Sequence, residues 1–110
     1  MAKPIDPQAS IQWIWDNAPK LAKAKGERVY VEEFRKSLKA LLMGASKETT
    51  AVAREQAAYA DEDYIAHLAV IRTAIEAEET LRWRMVSAEA AVEVWRSQEA
   101  SNRRLDRATA

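Results

Sequence analysis

Chemistry in this sequence has few places to reside. His67 is the only histidine, and Asp63 precedes it by four residues, a spacing that on a helix puts both on one face as a potential hydrogen-bonded pair. A metal ion needs more ligands than these two, and the Glu-x-x-His pairs of carboxylate-bridged di-metal bundles are absent. Glu76, Glu78 and Glu79 cluster carboxylates. Glu78, however, falls on an otherwise apolar helical seam, where a lone charge sets register or faces a basic partner. No phosphate-cradling glycine loop, nucleophile elbow or catalytic triad pattern occurs. The reading is therefore a non-enzyme, with no cofactor, no metal and no small-molecule substrate expected.

Binding chemistry is better represented. In Leu81-Arg82-Trp83-Arg84-Met85, a helix that turns Leu81 and Met85 to a core sends Trp83 roughly 160° round the axis from either, between two arginines. Trp83 then either packs on the N-terminal helix or a second subunit, or forms an exposed Trp/Arg patch. Such a patch stacks bases while arginine holds phosphate, or anchors a protein partner. Trp95 and Arg96 repeat the pairing, and Arg103, Arg104 and Arg107 add charge to the tail. Lys36 and Lys39 lie on a basic helix. Arg82, Trp83, Arg84, Trp95, Arg96, Lys36 and Lys39 are the candidate contacts.

These residues need elements to position them. The stretch from Asp61 to about Arg104 has no proline or glycine. Its Tyr64, Ile71, Glu78, Met85, Val92 and Glu99 fall seven apart, and His67, Ala74, Leu81, Ala88, Trp95 and Asn102 fill the positions three residues later. That is an a/d heptad on a helix roughly 60 Å long, which must find partners for its stripe. Upstream, Asp6 and Pro7 start a first helix running to about Asn17, with Ile11, Ile14 and Trp15 on one face and Trp13 off it. Pro19 ends or kinks it. A second helix spans 19–43, with a bend at Gly26 and a capping Gly44. Its face reads Leu21, Val29/Tyr30, Phe34, Leu38, Leu41/Leu42. Ser46 caps an alanine-rich third helix reaching about Tyr59. Residues 1–5 and 105–110 are expected to fray.

The simplest assembly is one all-α domain over 1–110, an elongated, coiled-coil-like antiparallel hairpin or bundle pairing 19–43 with the long helix. Leu81 to Trp95 then lacks cover, which either residues 7–18 or a second copy supplies. A dimer is the expectation.

Composition agrees. The chain of 110 residues is 48% hydrophobic, with two glycines and three prolines, too little turn chemistry for a sheet. Seventeen basic and 17 acidic residues cancel, which argues against a wholly nucleic-acid-binding surface. Eight bases face three acids between Lys20 and Lys47, whereas Asp61 to Glu79 holds six acids and only Arg72. The two segments either neutralise each other or leave a basic face open. There are no cysteines, which excludes disulfides and thiolate chemistry. Met1 to Pro7 has no apolar signal core and no run is long enough to span a membrane, so a cytosolic protein is expected.

The strings Arg28 to Met43, Ala53 to Ala60, Leu81 to Arg84, Val94 to Arg96 and Ala100 to Arg103 resemble small helical proteins of unassigned function in tailed bacteriophages and prophages. Such proteins are often encoded near replication or recombination genes. The resemblance covers residues 12–104. It implies a bacterial host cytoplasm and a non-catalytic accessory role, binding a protein or DNA. The alternatives are a structural or assembly coiled coil and a small inhibitor of a host factor.

Overall fold

A computed structural model describes residues 4–109. They form three helices: α1, Pro7–Ala45; α2, Ala51–Ala60; and α3, Glu62–Thr109. No strand occurs among them. The fold is all-α, with one very long C-terminal helix. Asp6 caps α1 as expected, its Oδ1 accepting from the amides of Gln8 at 3.0 Å and Ala9 at 3.2 Å, which satisfies N–H groups that have no partner within the helix.

Several boundaries differ from expectation. Pro19 and Gly26 both lie inside an unbroken α1. Pro19 has no N–H to give the Trp15 carbonyl, but Trp15 stands 77% exposed, so water can serve that oxygen. Gly44 is helical and no described glycine has positive φ, so no left-handed cap forms there. Helix α2 is capped by Thr50, whose hydroxyl accepts from the Ala53 amide at 3.1 Å. Ser46, the expected cap, instead accepts from the Glu48 amide in the preceding turn. Asp61 separates α2 from α3, its side chain accepting from the Asp63 amide at 2.8 Å. Helix α3 runs to Thr109, five residues past its expected end. Of the ends expected to fray, residues 1–3 and 110 lie outside the described residues.

The helices divide into two packing units, one of residues 22–79 and one combining the chain up to Leu21 with Thr80 onward. In the 22–79 unit α1 and α3 run antiparallel, since Arg28 meets Glu78 while Val31 meets His67. Its core is Val31, Ala58, Tyr64 and Ile71, with Glu78 buried among them.

The heptad read from α3 is buried or half-buried from Tyr64 to Val92, but Trp95 and Asn102, expected on the same seam, are exposed. Tyr64, Ile71 and Glu78 are buried, and His67, Ala74, Leu81, Met85, Ala88 and Val92 are half-buried. The face of α1 matches its expected one at Leu21, Leu38 and Leu42 and departs from it elsewhere. Ile14, Asn17, Leu21, Ala24, Arg28, Val31, Leu38 and Leu42 turn inward, a 3.5-residue repeat, while Val29, Tyr30 and Leu41 are exposed. Likewise Trp13 and Ile14 are half-buried, whereas Ile11 and Trp15 are largely exposed. The true seam of α1 holds Asn17, Ala24 and Arg28, residues that hydrophobicity alone passes over. In the other unit Ile11 and Ile14 line one hollow with Glu89, Val92, Glu93 and Arg96. Within this unit residues from the start of α1 thus lie beside α3 around Val92, while Val94 and Trp95 stay exposed.

Candidate functional site

Polar chemistry in the 22–79 unit is largely spent on itself. Arg28 donates through Nε and Nη2 to the two Glu78 oxygens, and through Nη1 to Glu32 at 3.0 Å. The bond to Glu78, with the charges of Glu78 and Glu32, outweighs desolvation and holds the guanidinium above its ordinary pKa. Glu78 is only 8% exposed, so the acidic break in the heptad answers a base in the same unit. Lys39 donates to Glu55 at 3.2 Å and sits 4.8 Å from the centre of the Tyr59 ring. Contact with Tyr59, then the bond to Glu55, raises its pKa. Lys36 pairs with Glu33 on the surface. The basic stretch is thus partly neutralised by carboxylates on α1, α2 and α3.

His67 is a packing histidine. Its Nε2 lies 2.6 Å from the Val31 carbonyl, which can only accept, so that nitrogen carries the proton. The Phe34 ring meets it edge-on at 5.5 Å. This bond across to α1 is what the structure gives His67, in place of the suggested pairing with Asp63 along α3. Among the described residues no group of three or more His, Asp or Glu is placed to hold a metal ion, and no helix is long and apolar enough to cross a membrane.

The seven candidate contacts fall on both units: Lys36 and Lys39 in 22–79, the others beyond Thr80. Trp83 is 60% exposed, with the Arg82 guanidinium 4.7 Å above its ring. Arg84 is exposed and makes no ion pair among the described residues. Trp95 is half as exposed as Trp15, and Arg96 pairs with Glu93 at 3.2 Å. Twelve residues separate the two tryptophans, roughly 120° of helix rotation, so the Trp–Arg pairs address different directions.

Trp83 has other neighbours that the sequence reading missed. Val86, Ala90 and Val94 follow it at three, seven and eleven residues, within an arc of roughly 80°. All are exposed, Val86 at 41% and Val94 at 47%. Helix α3 therefore carries two apolar stripes: the heptad seam and an outer one headed by Trp83. The signal was present in the spacing, but the stronger heptad masked it. Further on, Arg103, Arg104 and Arg107 line a shallow hollow with Ala100. In the 22–79 unit, Tyr30 stacks on Phe34 at 6.2 Å. A mostly apolar groove of about 430 Å³ there is lined by Glu27, Ala69, Val70, Thr73, Ala74 and Ala77.

Comparison with protein-family models, curated proteins and solved structures finds no match to this chain.

Proposed function

We propose that this chain is a non-enzymatic bacteriophage accessory protein that docks a protein partner in DNA replication or recombination. Its contact is the outer stripe of α3. The observation that carries the reading is Trp83, 60% exposed at the head of Val86, Ala90 and Val94. A large aromatic costs free energy in water, and tryptophan and arginine lead the residues that dominate protein interfaces. Arg82, stacked on the indole, restricts its motion and presents a cation at the rim. The phage setting and the host-cell cytoplasm rest on the sequence resemblance.

A second reading, direct DNA binding, has its own support. Residues 82–107 hold six arginines against four acids, and Arg84, Arg103, Arg104 and Arg107 are exposed. A third, self-association as an assembly coiled coil or dimer, is favoured by the exposed Tyr30 and Leu41 and the groove beside Val70.

A photo-crosslinking residue in place of Ala90, irradiated in infected cells, tests the first reading. The expected result is one discrete protein adduct, lost in Trp83→Ala. Anisotropy with labelled single- and double-stranded DNA, at low and physiological salt, tests the second. Micromolar binding that weakens with salt and vanishes in Arg82→Ala/Arg84→Ala, with no protein adduct, replaces the docking reading by DNA binding. An adduct between two copies of this chain, with a dimer mass in light scattering, replaces it by self-association.

A further inference from the structure

Where the end of α2 and the start of α3 meet α1, Arg35, Lys36, Lys39, Tyr59 and Tyr64 surround a depression of about 340 Å³. The three bases come from α1 at i, i+1 and i+4, within roughly 100° of rotation. The two phenols come from either side of Asp61. The place is built around Tyr64: its residue is 8% exposed, its ring is held edge-on by Tyr59 at 5.3 Å, and its hydroxyl makes no hydrogen bond among the described residues. Among the described residues no buried side-chain oxygen or nitrogen lacks a partner, so this hydroxyl is reached by solvent, on a buried ring that lines the depression. Arg35 is exposed and makes no ion pair among the described residues. Lys39 gives one N–H to Glu55 and another to the Tyr59 side chain, and retains a third.

We propose that this depression is a binding site for a phosphate monoester, its oxygens taken by Arg35, Lys36 and Lys39 and by the Tyr59 and Tyr64 hydroxyls. Converging cations and neutral donors suit a compact dianion, whereas a phosphodiester backbone runs on and calls for an extended basic track. Glu55 pairs with Lys39 and Glu33 with Lys36, which holds the two ammonium groups in place while Arg35 supplies a charge that no carboxylate offsets among the described residues. A free nucleotide and the 5′ end of a nucleic acid present the same group. The site is separate from the Trp83 stripe and does not rest on the docking reading.

Titration calorimetry on the full chain at constant ionic strength tests it. The probes are inorganic phosphate, a nucleoside 5′-monophosphate, and one oligonucleotide with a 5′-phosphate or a 5′-hydroxyl. The expected result is saturable one-to-one binding of the monoesters. Arg35→Gln and Tyr64→Phe each weaken it about tenfold, the effect of losing one hydrogen bond to a charged group. Both substitutions spare the apolar packing, and unchanged circular dichroism checks that they fold. Tighter binding of the 5′-phosphorylated oligonucleotide than of the mononucleotide names a nucleic-acid end as the source; the reverse order names a free nucleotide. Equal binding of the 5′-hydroxyl oligonucleotide, affinity indifferent to both substitutions, or no saturable heat overturns the proposal. Trp83→Ala leaves this affinity unchanged, so failure of the docking reading shows separately.

Discussion

Arg28 and Glu78 show how much one pair decides. Both leave water to meet on the seam, and their attraction offsets that desolvation only while both are present. Glu78→Gln is therefore expected to lower the urea midpoint more than Glu32→Gln, because Glu32 is a surface partner of the same guanidinium. The double change Arg28→Met/Glu78→Leu is expected to recover most of the loss. A double variant less stable than Glu78→Gln sinks this account. Lys39 adds a pH dependence. Its raised pKa means that the folded chain holds the proton more tightly than the unfolded one. Its contribution is complete below the ordinary lysine range and disappears as pH rises through and beyond it. Since tyrosines titrate there too, the difference between wild type and Lys39→Gln is the quantity to follow. It is expected to be constant from pH 7 to 9 and to shrink above that range; a difference that grows with pH contradicts the assignment.

Elements respond to local chemistry, and α1 is the instructive one. Gly26 is helical, and a Cβ built on it meets nothing within 4 Å. Gly26→Ala should therefore stabilise the protein by about 0.5–1 kcal/mol through backbone entropy alone. Thermal unfolding reads this as a rise in Tm, and a fall would mean that α1 needs a bend there after all. Thr50→Ala removes the cap of α2 and should cost about 1 kcal/mol, whereas Ser46→Ala, beyond the helix, should cost less. Glycine and proline argued for breaks in α1 because their intrinsic penalties are real. The inward residues near them, Ile14 to Leu21 in one unit and Ala24 to Leu42 in the other, outweigh those penalties. Tertiary packing often overrides propensity in this way.

At the scale of the molecule burial is thin: among the described residues no large side chain is fully buried. Ile71, among the most enclosed, is expected to lose about 2–3 kcal/mol on Ile71→Ala, the low end for core truncations because a two-helix seam leaves water close by. Trp83→Ala, larger in volume but exposed, should stay within about 0.5 kcal/mol. Chemical denaturation of the two variants checks the contrast, and a large loss in Trp83→Ala removes the outer stripe as a docking face. By itself the sequence determined the helical class, the start of α1 at Asp6 and the heptad of α3 from Tyr64 to Val92. These follow from local periodicity and capping, which neighbours in the chain settle among themselves. The face of α1 was decided only by tertiary structure, because its seam is polar or small at Asn17, Ala24 and Arg28. For Arg28 the partner that makes burial favourable is Glu78, 50 residues away. The depression around Tyr64 has the same origin: three helices must meet before its bases and phenols share one place.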